Sequence, residues 1–296
     1  MRKHSNRFIV ITNKHASALQ TERGESRLET QVLQPLHRFG KKIVELVMPS
    51  PDDITDTVQE GDTIVSCGGD GTANWLVNTL HLQKKSEFVT VVPQPFGGAN
   101  DIAEGLYGRM RLERIIEQGT PSTAYAITAT IETLNDARTQ TVHALGYIGI
   151  GASGVAAAAI NADRDHMHKK DVISRAAKAV VQSKPFYYTR PAQQPQRGFE
   201  WLALNGRMSY VIQPQHNFYF ENAHQQILTG GKAEAFAKIG LSIGRLVRGE
   251  ILTADQTARL QPLQSVTLQA DGEAYPVEPW STVTIQNGPA ITIARL

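Results

Sequence analysis

The chain has 296 residues, 41% of them hydrophobic, and a formal net charge of +2 from 30 basic and 28 acidic residues. That length exceeds one small core and predicts two domains. The near-balanced charge speaks against a protein held to nucleic acid mainly by phosphate neutralisation. Cys67 is the single cysteine, so no disulfide forms within the chain, which fits a reducing compartment. The start of the chain is polar and basic, and the apolar run Phe8 to Ile11 is too short for a signal-peptide core. No stretch approaches the roughly 20 apolar residues of a membrane-crossing helix. The expectation is a soluble, cytoplasmic protein whose only membrane contact is peripheral, at the inner face.

In chain order, Phe8 to Thr12 reads as a strand, Glu25 to Arg38 as a helix and Ile43 to Val47 as a strand. Ser50-Pro51-Asp52-Asp53 reads as a helix start, with a serine cap, an early proline and acids near the dipole. Thr63 to Cys67 and Phe88 to Val92 are further strands, with a helix from Thr72 to Leu80 between them. This alternation predicts a parallel sheet covered by helices on both faces. Arg109 to Gln118 reads as a helix broken by Gly119-Thr120-Pro121-Ser122. Beyond it, Ala124 to Thr133, Val142 to Ile150, Met208 to Ile212, Ser265 to Ala270 and Thr282 to Gln286 read as antiparallel strands. Helices are expected at about Val155 to Ala162 and Val172 to Gln182, and a loop over Pro185 to Gly198. The predicted division is an α/β domain over 1–121 and a β-rich domain over 122–296, whose last residues can return to the first domain.

The most informative segment is Gly68-Gly69-Asp70-Gly71-Thr72, between a strand and a helix. Three glycines let backbone N–H groups approach an anion, because no Cβ blocks the way and positive φ comes at little cost. The following helix adds unpaired N–H groups and a partial positive charge at its start. In open parallel sheets ligands bind beyond the carboxyl ends of the strands, where this turn sits. The pattern predicts a phosphate site, with Asp70 available to a metal ion or a hydroxyl proton.

Companion motifs follow in order. Pro95-Phe96-Gly97-Gly98-Ala99-Asn100-Asp101 is a second turn, and Asn100-Asp101 also suits a helix cap. Asp271-Gly272-Glu273 lies between two strand-like runs and suits a two-residue hairpin turn. With these residues the chain resembles the diacylglycerol kinase catalytic-domain family, which includes bacterial lipid kinases and sphingosine kinases. The resemblance runs from about Phe8 to the C-terminus and is close over Gly61 to Leu80, Val91 to Ala103 and Ala270 to Pro279. The family has Gly-Gly-Asp-Gly-Thr at Gly68 to Thr72, with Asn74 agreeing and Trp75 standing where Glu is common. It has Pro-Leu-Gly-Thr-x-Asn-Asp where this chain has Gly98 for the threonine. Its Asn-Pro-x-Ser-Gly after the first strand is here Asn13-Lys14-His15-Ala16-Ser17. The glycine-rich stretch with Asp-Gly that holds a structural magnesium in family members is missing from His216 to Ala235, so no structural metal is expected there.

The resemblance implies an ATP-dependent lipid kinase. Asn13, Gly68, Gly69, Gly71, Thr72, Gly97, Gly98, Asn100 and Asp101 would bind ATP. Asp70 and Asp101 would face a Mg²⁺ ion arriving with ATP, as Mg²⁺ is usually held by phosphates and one or two carboxylates. Glu273 would act as base, with Asp70 also catalytic. This reading needs Asp70, Asp101 and Glu273 to converge on one crevice. The partners are ATP and a diacylglycerol-like lipid, with a homodimer open. Two other readings stand beside it: a kinase of a soluble substrate such as NAD, and a non-catalytic nucleotide- or lipid-binding protein on the same scaffold. Asp163, Asp165, His166 and His168 read as a solvated turn rather than a metal site, since residues two apart face different ways on a helix. Phe186-Tyr187-Tyr188 and Phe218-Tyr219-Phe220 suit core packing by default, or an acyl channel or a membrane surface.

Overall fold

The computed structural model describes residues 7–16, 18–97, 100–134, 138–162, 174–176, 178–179, 182–198, 200–204, 225–230, 249–252 and 257–296. The chain divides into two compact units, Met1–Tyr125 with Pro289–Leu296, and Ala126–Gly288.

The first unit contains β1 (Arg7–Thr12), α1 (Glu22–Leu28), α2 (Gln34–His37), β2 (Lys42–Val47), α3 (Pro51–Thr57), β3 (Thr63–Gly68), α4 (Asp70–Leu82), β4 (Thr90–Pro95), α5 (Asp101–Tyr107) and α6 (Leu112–Gln118). A π-helical turn, Glu29–Leu33, joins α1 to α2. Strand order is β2-β1-β3-β4. The chain's last residues then take the fifth place, with Thr292 opposite Thr90 and Ile293 opposite Val91. These pairings are all parallel. Strands β1 and β3 are buried on both faces, which is why they read as unbroken apolar runs. Phe8, Val10, Val65, Cys67 and Val92 share one core with Val32, Leu36, Leu112 and Ile115 from the helices. On the alternate positions Ile9, Ile11 and Ile64 are equally buried, and α4 packs against β3. Ser50 and Asp53 form a reciprocal capping box at α3, with Pro51 in its first turn.

The second unit is built mainly from strands, with one helix between them and further helical residues at 174–176, 178–179 and 182. In order they are β5 (Thr120–Glu132), which begins in the first unit, β6 (Thr139–Ala144), β7 (Tyr147–Gly151), α7 (Ala152–Asn161), β8 (Phe186–Thr189), β9 (Gln196–Gly198), β10 (Glu200–Leu204), β11 (Gln225–Gly230), β12 (Gly249–Leu252), β13 (Ala258–Pro262), β14 (Val266–Ala270), β15 (Glu273–Val277) and β16 (Thr282–Arg295). One sheet has the order β12-β11-β10-β7-β14-β15, with every pairing antiparallel. In the other, β13 runs antiparallel to β16 and β8, β8 to β9, and β5 to β6. Ile148, Ile150, Trp201 and Leu268 from the first sheet meet Ile127, Val142, Phe186, Tyr188, Leu260 and Val283 from the second in one core. Helix α7 lies so close to β14 that a Cβ on Gly154 would overlap the Thr267 carbonyl. Its run of small residues is thus a packing surface. The fold is an α/β domain with a parallel sheet plus a β-rich domain of antiparallel strands, as the sequence predicts.

Several local expectations are corrected. Val142 to Ile150 is not one strand: Leu145-Gly146 breaks it, and β6 and β7 enter different sheets. Pro185 to Gly198 is not a plain loop but the hairpin β8–β9, with Phe186 and Tyr188 buried and Tyr187 exposed. Pro191 and Pro195 sit in the turn and Pro185 precedes β8, so none removes a ladder donor. Strand β5 starts at Thr120, so Pro121 opens a strand instead of separating helix from strand. Met208 to Ile212, His166, His168 and Phe218 to Phe220 lie outside the described residues, as does most of His216 to Ala235.

Candidate functional site

One group of candidate residues lies in the first unit, at the carboxyl ends of β1, β3 and β4. Gly69 precedes α4 with extended backbone, φ −95° and ψ −172°. Gly68, Gly69 and Gly71 are not among the glycines with positive φ, which are Gly40, Gly61, Gly108, Gly151 and Gly272. The glycines of this turn therefore serve close approach and not left-handed backbone. At Gly68 the reason is explicit: a Cβ there would overlap the Thr72 side chain. Thr72 in turn accepts at its Oγ1 from Asn13 Nδ2, at 2.9 Å. The Asn13 N–H donates to the Cys67 carbonyl at 3.1 Å, and the Asn13 Oδ1 accepts from the His15 N–H at 2.9 Å. Asn13 thus ties the end of β1 to the start of α4. Gly68→Ala is expected to destabilise by about 1–3 kcal/mol, because the added methyl must displace Thr72 and its bond to Asn13. Urea unfolding checks this, and an unchanged midpoint would contradict it.

Asp70 is the first residue of α4, yet its carboxylate serves a different helix. Its oxygens accept from the N–H groups of Asp101 and Ile102, both at 3.0 Å. These are first-turn N–H groups of α5, which lack partners within the helix. The side chain of Asn100 does not cap α5. It closes the preceding turn instead, accepting from the Gly97 N–H at 2.8 Å and donating to the Gly97 carbonyl at 3.1 Å. Asp101 is buried. Gly98 lies outside the described residues. Lys14 is exposed. Burial pushes the Cys67 thiol up, with no neighbouring base among the causes, so Cys67 is a packed side chain and not a nucleophile.

A separate group of candidate residues lies in the second unit, on the hairpin β14–β15. Asp271 and Gly272 are its two turn residues, with φ +46° and +93°. Positive φ at both positions is the hairpin turn that Asp-Gly favours. The Asp271 carboxylate is buried and accepts three backbone N–H groups: Leu145, Gly146 at 2.9 Å and Tyr147 at 2.9 Å. This is what turns the chain between β6 and β7. Gly272 is held on both sides, by the Gln269 Oε1 on its N–H at 2.9 Å and by Asn161 Nδ2 on its carbonyl at 3.1 Å. Glu273 follows directly and shares a strand face with Tyr275. Burial pushes the half-buried Tyr275 phenol up, and the charges of Glu273 and Asp271 push it further. It therefore stays a protonated donor through neutral pH. The roles of Asn161 and Leu145 to Tyr147 are not legible in the sequence, because they come from backbone amides and an amide side chain with no motif of their own.

The donor set in the first unit suits phosphate. The start of the 13-residue α4 is the positive end of its helix dipole, and Gly69 and Gly71 present no side chain there, while the Thr72 and Ala73 N–H groups donate to the Gly69 carbonyl. It does not form a cage for a cation: no group of three or more metal-ligating side chains occurs among the described residues. Residues 7–130 match the diacylglycerol kinase catalytic domain. The chain's fold matches the crystal structure of a candidate diacylglycerol kinase from Bacillus anthracis str. Sterne, at TM-score 0.66 and 18% identity, covering 98% of this chain and 97% of that one. A second diacylglycerol kinase structure from the same organism gives TM-score 0.62 and 15% identity, covering 100% of this chain and 98% of that one. At these identities the likeness shows the fold. No curated protein matches the chain.

Proposed function

We propose that the protein is an ATP-dependent lipid kinase. The observation that carries this reading is the turn Gly68 to Thr72 at the start of α4, within the segment that matches the diacylglycerol kinase catalytic domain. Gly69, Gly71 and the first N–H groups of α4 hold ATP phosphates, while Gly68, Thr72 and Asn13 fix the turn's shape. Gly97, Gly98, Asn100 and Asp101 complete the nucleotide side. Asp70 and Asp101 would be the carboxylates that face a Mg²⁺ ion arriving with ATP, and that ion would supply neutralisation of phosphate charge.

The hydroxyl oxygen of a diacylglycerol-like lipid attacks the γ-phosphorus, and the bond to the bridging oxygen of ADP breaks. Glu273 takes the hydroxyl proton. Phosphoryl transfer relies on positioning and charge stabilisation, so a held carboxylate beside the attacking oxygen is what the protein must supply. The doubly latched Asp271-Gly272 turn suits that task, since it fixes the strand on which Glu273 sits. The same hairpin favours a lipid acceptor over NAD. Appearance of labelled γ-phosphate in an extracted lipid tests the reading, and label appearing in NAD instead would select a soluble acceptor. Calorimetric binding of ATP without transfer to either would leave a binding protein on this scaffold.

Among the described residues no helix is long and apolar enough to cross a membrane. A lipid acceptor then has to be met at a membrane surface or carried to the protein.

A further inference from the structure

The turn Glu278-Pro279-Trp280-Ser281 joins β15 to β16 and departs from what its backbone asks for. The Ser281 N–H donates to the Glu278 carbonyl at 3.3 Å, closing a four-residue turn. Pro279 takes the first central place and Trp280 the second, with φ +66°. That place calls for glycine, because positive φ is costly for a bulky side chain. Trp280 is nevertheless 51% exposed. The turn is rigidly mounted: the Trp280 N–H donates to the Pro262 carbonyl at 2.7 Å, and Gln261 Nε2 donates to the Trp280 carbonyl at 2.8 Å. A strained backbone and an exposed indole are both unfavourable in the protein alone. A partner that buries the indole accounts for both.

The neighbouring sheet face says what that partner is. Leu260, Pro262, Phe186 and Tyr188 point into the core, so Arg259, Gln261, Tyr187 and Thr189 point the other way. Tyr187 is 46% exposed and stands directly opposite Arg197 on β9. The Leu263 N–H donates to the Tyr187 carbonyl at 2.8 Å, which places Leu263 beside it. Arg197 and Arg259 are exposed. Strands β8, β9 and β13 read Phe-Tyr-Tyr-Thr, Gln-Arg-Gly and Ala-Arg-Leu-Gln-Pro, without one carboxylate. The nearest acids in sequence are Glu278 at the edge of the turn, Glu200 two residues after β9 and Asp255 three residues before β13.

We propose that this face docks onto an anionic lipid bilayer, with Trp280 and Tyr187 entering the headgroup layer and Arg197 and Arg259 facing lipid phosphates. Trp and Tyr suit that layer because each has an apolar body and a polar edge. Arginines add attraction to anionic lipid that salt weakens. The surface gives the lipid kinase reading a route to its substrate, but it stands on its own observations.

The test is co-sedimentation of the full chain with vesicles of phosphatidylglycerol and phosphatidylcholine, against vesicles of phosphatidylcholine alone. The wild type should bind the anionic vesicles, less so as salt rises. Trp280→Gly should lower partitioning by about tenfold, and glycine fits the turn's backbone, so the fold is kept. Arg197→Gln with Arg259→Gln should weaken binding about fivefold per arginine and flatten the salt dependence. Glu278→Gln should strengthen it. Failure of the wild type to bind anionic vesicles, or undiminished binding by Trp280→Gly, would overturn the proposal. Self-association without lipid that disappears in Trp280→Gly would also overturn it, assigning the face to a second copy. Vesicle binding without phosphate transfer to any lipid would retain the docking face and defeat the kinase reading.

Discussion

Replacing Glu273 by glutamine is expected to lower turnover by about 10²–10⁴, the usual contribution of a general base. The change keeps size and backbone, and alters only the ability to take a proton. The Asp271-Gly272 turn before it stays latched by Leu145, Gly146, Tyr147, Gln269 and Asn161. Stability should therefore hold, and so should ATP binding, which the proposed function assigns to the turn before α4. Steady-state kinetics with calorimetric ATP binding distinguish the outcomes. Unchanged turnover would remove Glu273 from the mechanism and leave the hairpin as structure alone.

Asp271→Ala should act through the fold. The substitution leaves three backbone N–H groups, at Leu145, Gly146 and Tyr147, without their carboxylate in a buried position. Bonds to a charged acceptor are among the stronger ones, and orphaned buried donors carry a full desolvation penalty. The expected loss is about 3 kcal/mol or more. Asp271→Asn should lose less, because its amide oxygen can still accept from Gly146 and Tyr147 while its NH₂ group opposes the Leu145 N–H. Urea unfolding gives the order of the three proteins. Hydrogen exchange should show faster exchange at residues 145–147 in both variants. An Asp271→Ala protein with wild-type stability and exchange would show that the β6–β7 turn does not depend on this carboxylate.

The contrast between neighbouring carboxylates bears on how much the sequence discloses. The parallel sheet was legible because β1 and β3 are buried on both faces and so read as continuous apolar runs. The Asp-Gly hairpin was legible because few residue pairs tolerate two positive φ values in succession. The break after β6 was not, since the carboxylate that causes it lies 126 residues away from Leu145. The same holds for Asp70, whose acceptors' partners lie 31 and 32 residues further on. A local reading assigned the cap of α5 to Asn100, whereas the tie crosses between loops. The β8–β9 hairpin was hidden by prolines that punctuate its turn. Trp280 was hidden because nothing in Glu-Pro-Trp-Ser announces a glycine-type backbone at the tryptophan. For the candidate residues, the sequence located the glycine turn and the hairpin as turns, and the structure supplied what holds each in place.

At the glycine turn the structure gives the glycines a different reason from the one the sequence suggests. Glycine freedom at positive φ is unused at Gly68, Gly69 and Gly71. What matters is the room that Gly68 leaves for Thr72, and the bare approach to the start of α4. Substitution tolerance should therefore track side-chain volume and not backbone preference.

Transfer of label from γ-labelled ATP, with Mg²⁺, into short-chain diacylglycerol and related lipids in mixed micelles tests the central claim most directly. Purified wild-type protein is expected to place label in the lipid phase in proportion to time and enzyme, and Glu273→Gln to place far less. Label confined to ATP and inorganic phosphate across every lipid class, or delivered to NAD, would contradict it.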